Sequence, residues 1–447
     1  MLRRPSLPRV ALLLALAAAT ACSEDIPPGR WSGTADLGAG EEPMSLRLLA
    51  DGALADFPGR GLFGLPIASF LREEERVTFS LPGESGELVF VASRLSPGRA
   101  GAEAIGGVCA GGGGFEGAFR LELEPDRSAE ERYAIDTGRG LLPGSLLLPP
   151  EDGNGLAVVL LVAGAGPIDR DGNNYAVPGR CDSLKALAEA LAARGVASLR
   201  YDKRGAGEAY VLVRREEDLV FSDHVDDAID ALRALASDGR FARIVVAGEG
   251  EGGLVAAAAL AGFRAAGLAD DRGRRGRYAL ALLCAPAASP LETVEEALAG
   301  LPPERAEEGS RIVSALREGS EYPLPGPFFA DFFRPSIQPY LISSFRYSLA
   351  EELAKTSDPL LVAVGARDSS VGEADVARIL AARPRARVLR IEGMGRALKE
   401  LGEDPEDEYR AYVDPSMPLS AALADSLAAF ASEGLGRRRP TRRGDAD

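Results

Sequence analysis

The chain has 447 residues, of which 46% are hydrophobic and 26% charged, and its formal net charge is -16. That apolar content is enough to bury cores in one large and one smaller domain, and it excludes a disordered, self-solvating chain. The acidic balance repels phosphates and so argues against a nucleic-acid surface; scattered, solvated acidic faces account for it.

At the N-terminus Arg3, Arg4 and Arg9 precede an apolar run from Val10 to Ala21. The run is too short to span a bilayer and has the shape of a signal h-region. It ends Ala19-Thr20-Ala21-Cys22, which resembles the bacterial lipoprotein signal. That resemblance implies a signal peptide over residues 1–21 and lipid attachment at Cys22. It also implies export to the bacterial cell envelope, with the membrane surface reached through acyl chains alone, each buried CH₂ contributing about 0.8 kcal/mol. An ordinary cleaved secretory signal, giving a soluble secreted or periplasmic protein, is the alternative. Cys109, Cys181 and Cys284 follow, an odd number for an oxidising compartment. Three buried thiols are expected; one disulfide with one free thiol is the other arrangement.

Residues 22–128 read as an all-β domain. Short alternating runs at Ser45–Leu49, Val77–Leu81, Glu87–Ala92 and Ala118–Glu124 are punctuated by Gly, Pro and Asp, as in an antiparallel sandwich or small barrel. Trp31, in Gly29-Arg30-Trp31-Ser32-Gly33, is expected to plug its core. Gly111 to Gly114 reads as a flexible hairpin loop.

From Tyr133 strands and helices alternate, and residues 129–436 form the second domain. Leu156–Ala163 is a near-continuous apolar strand, the signature of burial on both faces. Asp182 is expected to cap an amphipathic helix over Ser183–Arg194, stopped by Gly195. Strand Val196–Tyr201 and helix His224–Ala236 come next, then the central stretch from Arg243 to Ala261, R-I-V-V-A-G-E-G-E-G-G-L-V-A-A-A-A-L-A. This reads as a strand, a Gly-rich turn and an Ala-rich helix. Strand Tyr278–Cys284 follows. Residues 289–350, rich in Pro and Phe, read as a helical lid interrupting the alternation. Strand Leu360–Gly365, helix Glu373–Ala382, strand Arg387–Glu392 and a helix near Leu419–Ser432 close the domain. The pattern implies a doubly wound, mostly parallel sheet. Residues 437–447 read as a basic, disordered tail.

Six strings carry a family resemblance: A-G-A-G-P-I-D-R-D-G-N-N (163–174), D-S-L-K-A-L-A-E-A-L-A-A-R-G (182–195), R-Y-D-K-R-G (200–205), F-R-P-S-I-Q-P-Y-L-I (333–342), V-G-A-R-D (364–368) and E-G-M-G-R-A-L-K (392–399). With the G-x-W-x-G pattern at 29–33 they resemble bacterial α/β-hydrolases of the carboxylesterase and serine-aminopeptidase-like group. The resemblance implies the α/β-hydrolase fold with an N-terminal β-domain, and ester or amide hydrolysis without cofactor or metal. Similar elbows read G-H-S-E-G where this chain has G-E-G-E-G. The nucleophile position therefore falls on Gly250, the acid on Asp368, and the base, in a loop written G-M-N-H in similar chains, on Arg396. The oxyanion donors fall on the backbone N–H groups of Ala165 and Glu251.

Triad hydrolysis needs an oxygen nucleophile and a base that can take its proton. Gly250 has no side chain, and a guanidinium such as that of Arg396 stays protonated and cannot act as a base. His224, the only histidine, reads as a surface or cap residue. Cys284 reads as a structural thiol with no histidine to activate it. Backbone donors need no particular side chain, so a small anion or carbonyl can still dock. Beside them Arg396 either seals the site in a salt bridge with Asp368 or binds a carboxylate or phosphate. A serine at an elbow sits in a strained conformation, so Ser→Gly relieves roughly 1–3 kcal/mol once catalysis is no longer required. The leading expectation is a non-catalytic envelope lipoprotein that binds a small acyl or carboxylate ligand, or a protein partner. An active esterase using replacement residues and a structural lipoprotein with a closed pocket are the alternatives.

Overall fold

Alternation in the first hundred residues becomes strands, and long apolar runs in the remainder become buried parallel strands. The computed structural model describes residues 26 to 435, apart from 28, 39, 49–52, 58–59, 61, 74–75, 84–85, 96–102, 112–114, 124–129, 151–154, 178 and 272–275. The signal segment with Cys22, most of the glycine run and the basic tail lie outside the described residues. The chain divides into two compact units, Met1–Ala53 with Ile67–Pro125, and Leu54–Pro66 with Asp126–Asp447.

The first nine strands are β1 (Gly29–Asp36), β2 (Glu41–Leu48), β3 (Ala53–Phe57), β4 (Leu62–Pro66), β5 (Ser69–Glu73), β6 (Arg76–Gly83), β7 (Gly86–Leu95), β8 (Ala104–Gly111) and β9 (Phe115–Leu123). They form one sheet in the order β4-β3-β2-β1-β9-β8-β7-β6-β5, with antiparallel neighbours along β2-β1-β9-β8-β7-β6-β5. Period-two alternation buries Val77, Phe79 and Leu81 on one face of β6, and the register sets Phe79 opposite Phe90. Their rings stack at 4.6 Å, with Phe119 edge-on to both, an arrangement that suits aromatic quadrupoles. Trp31 is fully buried, as a core residue should be. Cys109 is buried too, its thiol donating to the Asp36 carbonyl at 3.2 Å. Burial, then the nearby Asp36 charge, push that thiol up to about 11.

Eight further strands make the second sheet: β10 (Glu130–Asp136), β11 (Leu141–Leu147), β12 (Leu156–Val162), β13 (Ala197–Tyr201), β14 (Phe241–Glu249), β15 (Tyr278–Leu283), β16 (Leu360–Gly365) and β17 (Arg387–Ile391). The order is β10-β11-β13-β12-β14-β15-β16-β17. Every pair from β13 to β17 is parallel, and β10 and β11 form an antiparallel edge. The helices are α1 (Ser183–Ala192), α2 (Phe221–Ser237), α3 (Gly252–Ala265), α4 (Pro290–Ala299), α5 (Pro303–Arg317), α6 (Gln338–Ser344), α7 (Leu349–Ala354), α8 (Glu373–Ala382), α9 (Asp407–Val413) and α10 (Ala421–Ala431). Every residue of β12, β13, β15 and β16 is buried. Along β12, Val158, Leu160 and Val162 pack with α2, α3, α7 and α8. The alternate residues Ala157, Val159 and Leu161 pack with α1 and α10. Burial of both faces is thus why these strands read as continuous apolar runs. This is the doubly wound, mostly parallel α/β fold with an N-terminal all-β sheet.

Three local expectations need correction. The insertion between β15 and β16 is helical only in parts. Residues 318–337 are non-helical except for one short turn at Pro335–Ile337, because Pro323, Pro325 and Pro327 with Gly319 and Gly326 deny the backbone its helical hydrogen bonds. Its own small core holds Ile312, Leu316, Phe329 and Phe333. Asp182 does not cap α1. Its φ is 51° and its side chain makes no cap bond, since the carboxylate accepts instead from Asn173 Nδ2 at 2.9 Å and Arg180 Nη2 at 3.0 Å. The Asp171 carbonyl takes the Leu184 and Lys185 N–H groups in its place. Finally, α9 has no counterpart in the sequence reading.

Buried charge locks the loops after β12 and β13 together. Asp202, with no exposed surface, accepts from Arg170 Nε at 3.0 Å, Nη2 at 2.6 Å and backbone N at 2.7 Å, and from the Glu208 N–H at 2.8 Å. Arg204 and Asp227 form a second such pair, and fully buried Arg200 joins Asp171 and Glu130. Removing Asp202 would leave the buried Arg170 guanidinium only Glu208, at 3.2 Å, as a charged partner. Asp202→Ala should therefore cost about 3–5 kcal/mol in urea unfolding of the full-length protein; a loss under about 1 kcal/mol would show that Arg170 finds compensation elsewhere.

Candidate active site

β14 runs into α3 through a turn in which each glycine has its own reason. A Cβ on Gly248 would lie 2.0 Å from the Gly252 carbonyl oxygen, and one on Gly252 would lie 2.5 Å from the carbonyl oxygens of Val162 and Ala163. Backbone approach forbids a side chain at both. Gly250 differs: its φ of 56° is in the left-handed region, but a Cβ there would meet only Arg396 Nη2 at 3.6 Å and Gly164 Cα at 3.9 Å. Space is open at Gly250 and only the backbone conformation favours glycine. The frame G-E-G-E-G is thus a tight strand-to-helix turn, with Gly250 at its apex.

The sheet brings loops from the carboxyl ends of its strands to this turn, the usual place for a site in a parallel sheet. From the loop after β12, the Gly164 N–H donates to Glu249 Oε2 at 3.1 Å, and the Gly164 carbonyl accepts from Lys203 Nζ at 2.7 Å. Lys203 is buried and also lies 3.8 Å from Glu251 Oε1. Tyr340, from α6 of the insertion, donates its hydroxyl to the same Glu251 oxygen at 3.0 Å. Among the described residues, the N–H groups of Ala165 and Glu251 have no acceptor. Ala165 is exposed.

Asp368 and Arg396 come from the loops after β16 and β17. Asp368 Oδ1 accepts the N–H groups of Ser370 and Val371 at 2.8 and 3.1 Å, while its Oδ2 is buried without a hydrogen-bond partner. Half-buried Arg396 makes no hydrogen bond or ion pair with any described residue. The sealing Asp368–Arg396 salt bridge is not formed.

Burial raises the Glu249 carboxyl above its ordinary range, while Arg396, the Gly164 N–H and Lys203 oppose that shift and Asp368 adds to it. Lys203 is lowered by burial, with Glu251 and Glu249 holding it up. Tyr412, on α9, has its hydroxyl raised by burial and then by the Glu249 charge, and Arg396 lowers it. Burial and the Asp368 charge hold the Cys284 thiol protonated, which removes its nucleophilic form. Cys181 is likewise buried and free.

His224 is not a surface residue. It is buried, with its ring 5.9 Å from that of Tyr340. Burial, then Lys203 and Arg204, press it well below the usual imidazole range, so it is neutral. Lys203, Tyr340 and Tyr412 were not singled out from the sequence. The first two lie inside the quoted strings R-Y-D-K-R-G and F-R-P-S-I-Q-P-Y-L-I, whereas Tyr412 has no local signal at all.

The family model for serine aminopeptidase, S33, matches residues 177–303. No curated protein sequence matches the chain. Similar solved structures include the ferulic-acid-bound Est1E of Butyrivibrio proteoclasticus, at 18% identity and TM-score 0.41, covering 59% of this chain and 91% of that one. A bromoperoxidase from Bacillus anthracis is 15% identical with TM-score 0.39, covering 67% and 99% of the respective chains. A proline iminopeptidase from Mycobacterium smegmatis is 15% identical with TM-score 0.40, again covering 67% and 99%.

The contrast between the turn glycines is measurable. Gly250→Ala should cost about 1–2 kcal/mol, the strain of one left-handed residue. Gly252→Ala forces backbone apart and should cost at least about 3 kcal/mol, the upper end of overpacking. Urea midpoints that rank the two variants the other way would refute this account of the turn.

Proposed function

We propose that this protein is a member of the α/β-hydrolase superfamily and, within it, an exported, lipid-anchored binder of a small acyl or carboxylate ligand that no longer hydrolyses. The observation that carries the reading is the Arg396 guanidinium facing the open space over Gly250, two residues to which the resemblance assigns the base and nucleophile positions, with Asp368 at the acid position. A missing hydroxyl and a permanent cation leave no route for the first proton transfer. Three features support binding in its place. The N–H groups of Ala165 and Glu251 are free among the described residues, and Arg396 has no partner there. In addition, Arg396 Nη2 faces the open space over Gly250. A guanidinium with adjacent backbone donors is chemistry suited to a carboxylate.

Hydrolysis of short-chain aryl esters tests the chemistry. The full-length protein should show no turnover above background, whereas Gly250→Ser/Arg396→His, which restores a hydroxyl and an imidazole at the positions the resemblance assigns to nucleophile and base, should show turnover. Esterase activity in the unmodified protein would overturn the proposal. Binding is tested by melting: a saturating medium-chain carboxylate should stabilise the unmodified protein by about 2.7 kcal/mol at one hundred times its Kd. An unchanged melting temperature across a chain-length series would count against a ligand of this class.

Anchoring rests on Cys22 following the h-region. Among the described residues no helix is long and apolar enough to cross a membrane, so acyl chains would supply the attachment. Expressed in a bacterium, the full chain should fractionate with membranes and Cys22→Ala should not. Equal partitioning of the two would remove the lipid from the proposal.

A further inference from the structure

Glu249 stands where similar elbows carry histidine, and its side chain lies over the loop after β12. Its Oε2 accepts the Gly164 N–H at 3.1 Å. It lies so close over that loop that a Cβ on Gly164 would come within 2.6 Å of it. Among the described residues this is the carboxylate's only hydrogen bond. Around it stand unused donors, the N–H groups of Ala165 and Glu251 and the Arg396 guanidinium. A carboxylate held by one bond, among donors that hold nothing, is a weakly seated occupant of an anion site.

Resting on the binding reading above, we propose that Glu249 is a built-in stand-in for the ligand: a monocarboxylate displaces it from the Gly164 N–H and settles against Arg396 and the free backbone donors. Charge balance selects the class. Glu249, Glu251 and Asp368 already set three carboxylates against Lys203 and Arg396, so a phosphate dianion adds repulsion. A monocarboxylate instead exchanges one acid for another, provided that the displaced Glu249 takes up a proton. No covalent bond changes; one proton passes from solvent to Glu249 for each ligand bound.

The groups that face Glu249 electrostatically come from every surrounding loop. Arg396 and Lys203 favour its ionised form and Asp368 disfavours it. Tyr412, Cys181 and Cys284 each feel the Glu249 charge. Burial raises all three, so they stay neutral. Because burial raises the Glu249 carboxyl, it takes up its proton more readily than an exposed aliphatic carboxylate does, which eases its displacement as pH falls. Above the raised value each binding event must draw a proton, and affinity falls about tenfold per pH unit. Deprotonation of Lys203 would weaken binding in the same direction, so the experiment needs a variant that removes only the Glu249 titration.

Titration calorimetry of the full-length protein and of Glu249→Gln with octanoate, octanamide and inorganic phosphate between about pH 6 and 8 provides it. The expected result is octanoate binding that weakens steadily as pH rises over that range in the unmodified protein, by up to about tenfold per pH unit. Glu249→Gln should bind octanoate at least about tenfold tighter at the upper pH, with a slope reduced to less than about twofold. If Glu249→Gln fails to melt cooperatively, Glu249→Leu, which also carries no titratable group, carries the same expectation. Octanoate binding alike to both proteins with the same slope would overturn the displacement while leaving the binding reading intact. Phosphate binding more tightly than octanoate would overturn the monocarboxylate class. No binding by either cooperatively melting protein would fail the binding reading itself.

Discussion

The second unit depends on how closely α3 crosses the strands beneath it. Gly248 and Gly252 bring two stretches of backbone within a distance that no Cβ could share. That approach lets α3 start directly above the end of β12. The helix then buries nearly its whole length, from Gly252 to Phe263, against β12, β14 and β15, which its Ala-rich sequence permits because small side chains let helix and sheet close up. The same crossing presents Glu249, Gly250 and Glu251 at the carboxyl edge of the sheet. The Gly250 N–H is tied to the Leu283 carbonyl at 2.9 Å, so the apex is held by strand β15 and not by a side chain.

Charge is handled in two ways in this unit. Away from the elbow, buried charges are paired: Asp202 takes four donors, Arg204 and Asp227 meet through both oxygens, and Arg200 sits between two acids. Such pairs add little net stability over an apolar core, but they fix which loop lies on which. At the elbow the opposite holds. Asp368 keeps one buried oxygen without a partner, Arg396 has none among the described residues, and Glu249 has a single bond. An acid and a cation left short of partners side by side on neighbouring loops are what an anion-binding site looks like before it is filled. Tyr340 ties this region to the insertion through Glu251, and neutral, buried His224 packs beneath it.

Much of this could be read locally. The run Leu156–Ala163 announced a doubly buried strand, found at Leu156–Val162, and Leu360–Gly365 and Glu373–Ala382 fell where their patterns put them. The elbow was legible because its glycines sit at fixed spacing between a β-branched run and an Ala-rich one. His224 misled because S-D-H-V-D-D looks like a solvated helix start; only the packing of α6 over α2 covers it. Asp182 misled for a related reason: its place before an apolar helix promised a cap, but Asn173 and Arg180 compete for the same carboxylate. Tyr412 lies in an acidic, unpatterned stretch, where a seven-residue helix leaves too little periodicity to be seen.

By itself the sequence determined the fold class, the order of the βα units, the position of the turn and the residue types at its apex. These follow from side-chain volume, backbone freedom and periodicity, all of which act within a window of a few residues. Only the tertiary structure decided which groups meet: Glu249 with Gly164, eighty-five positions apart, Tyr340 with Glu251, and Arg396 facing Gly250 and leaving Asp368 unpaired. Those meetings are set by strand order and register in the second sheet. Parallel crossovers bring residues from distant parts of the chain to one edge, and no local pattern records which of them will face each other.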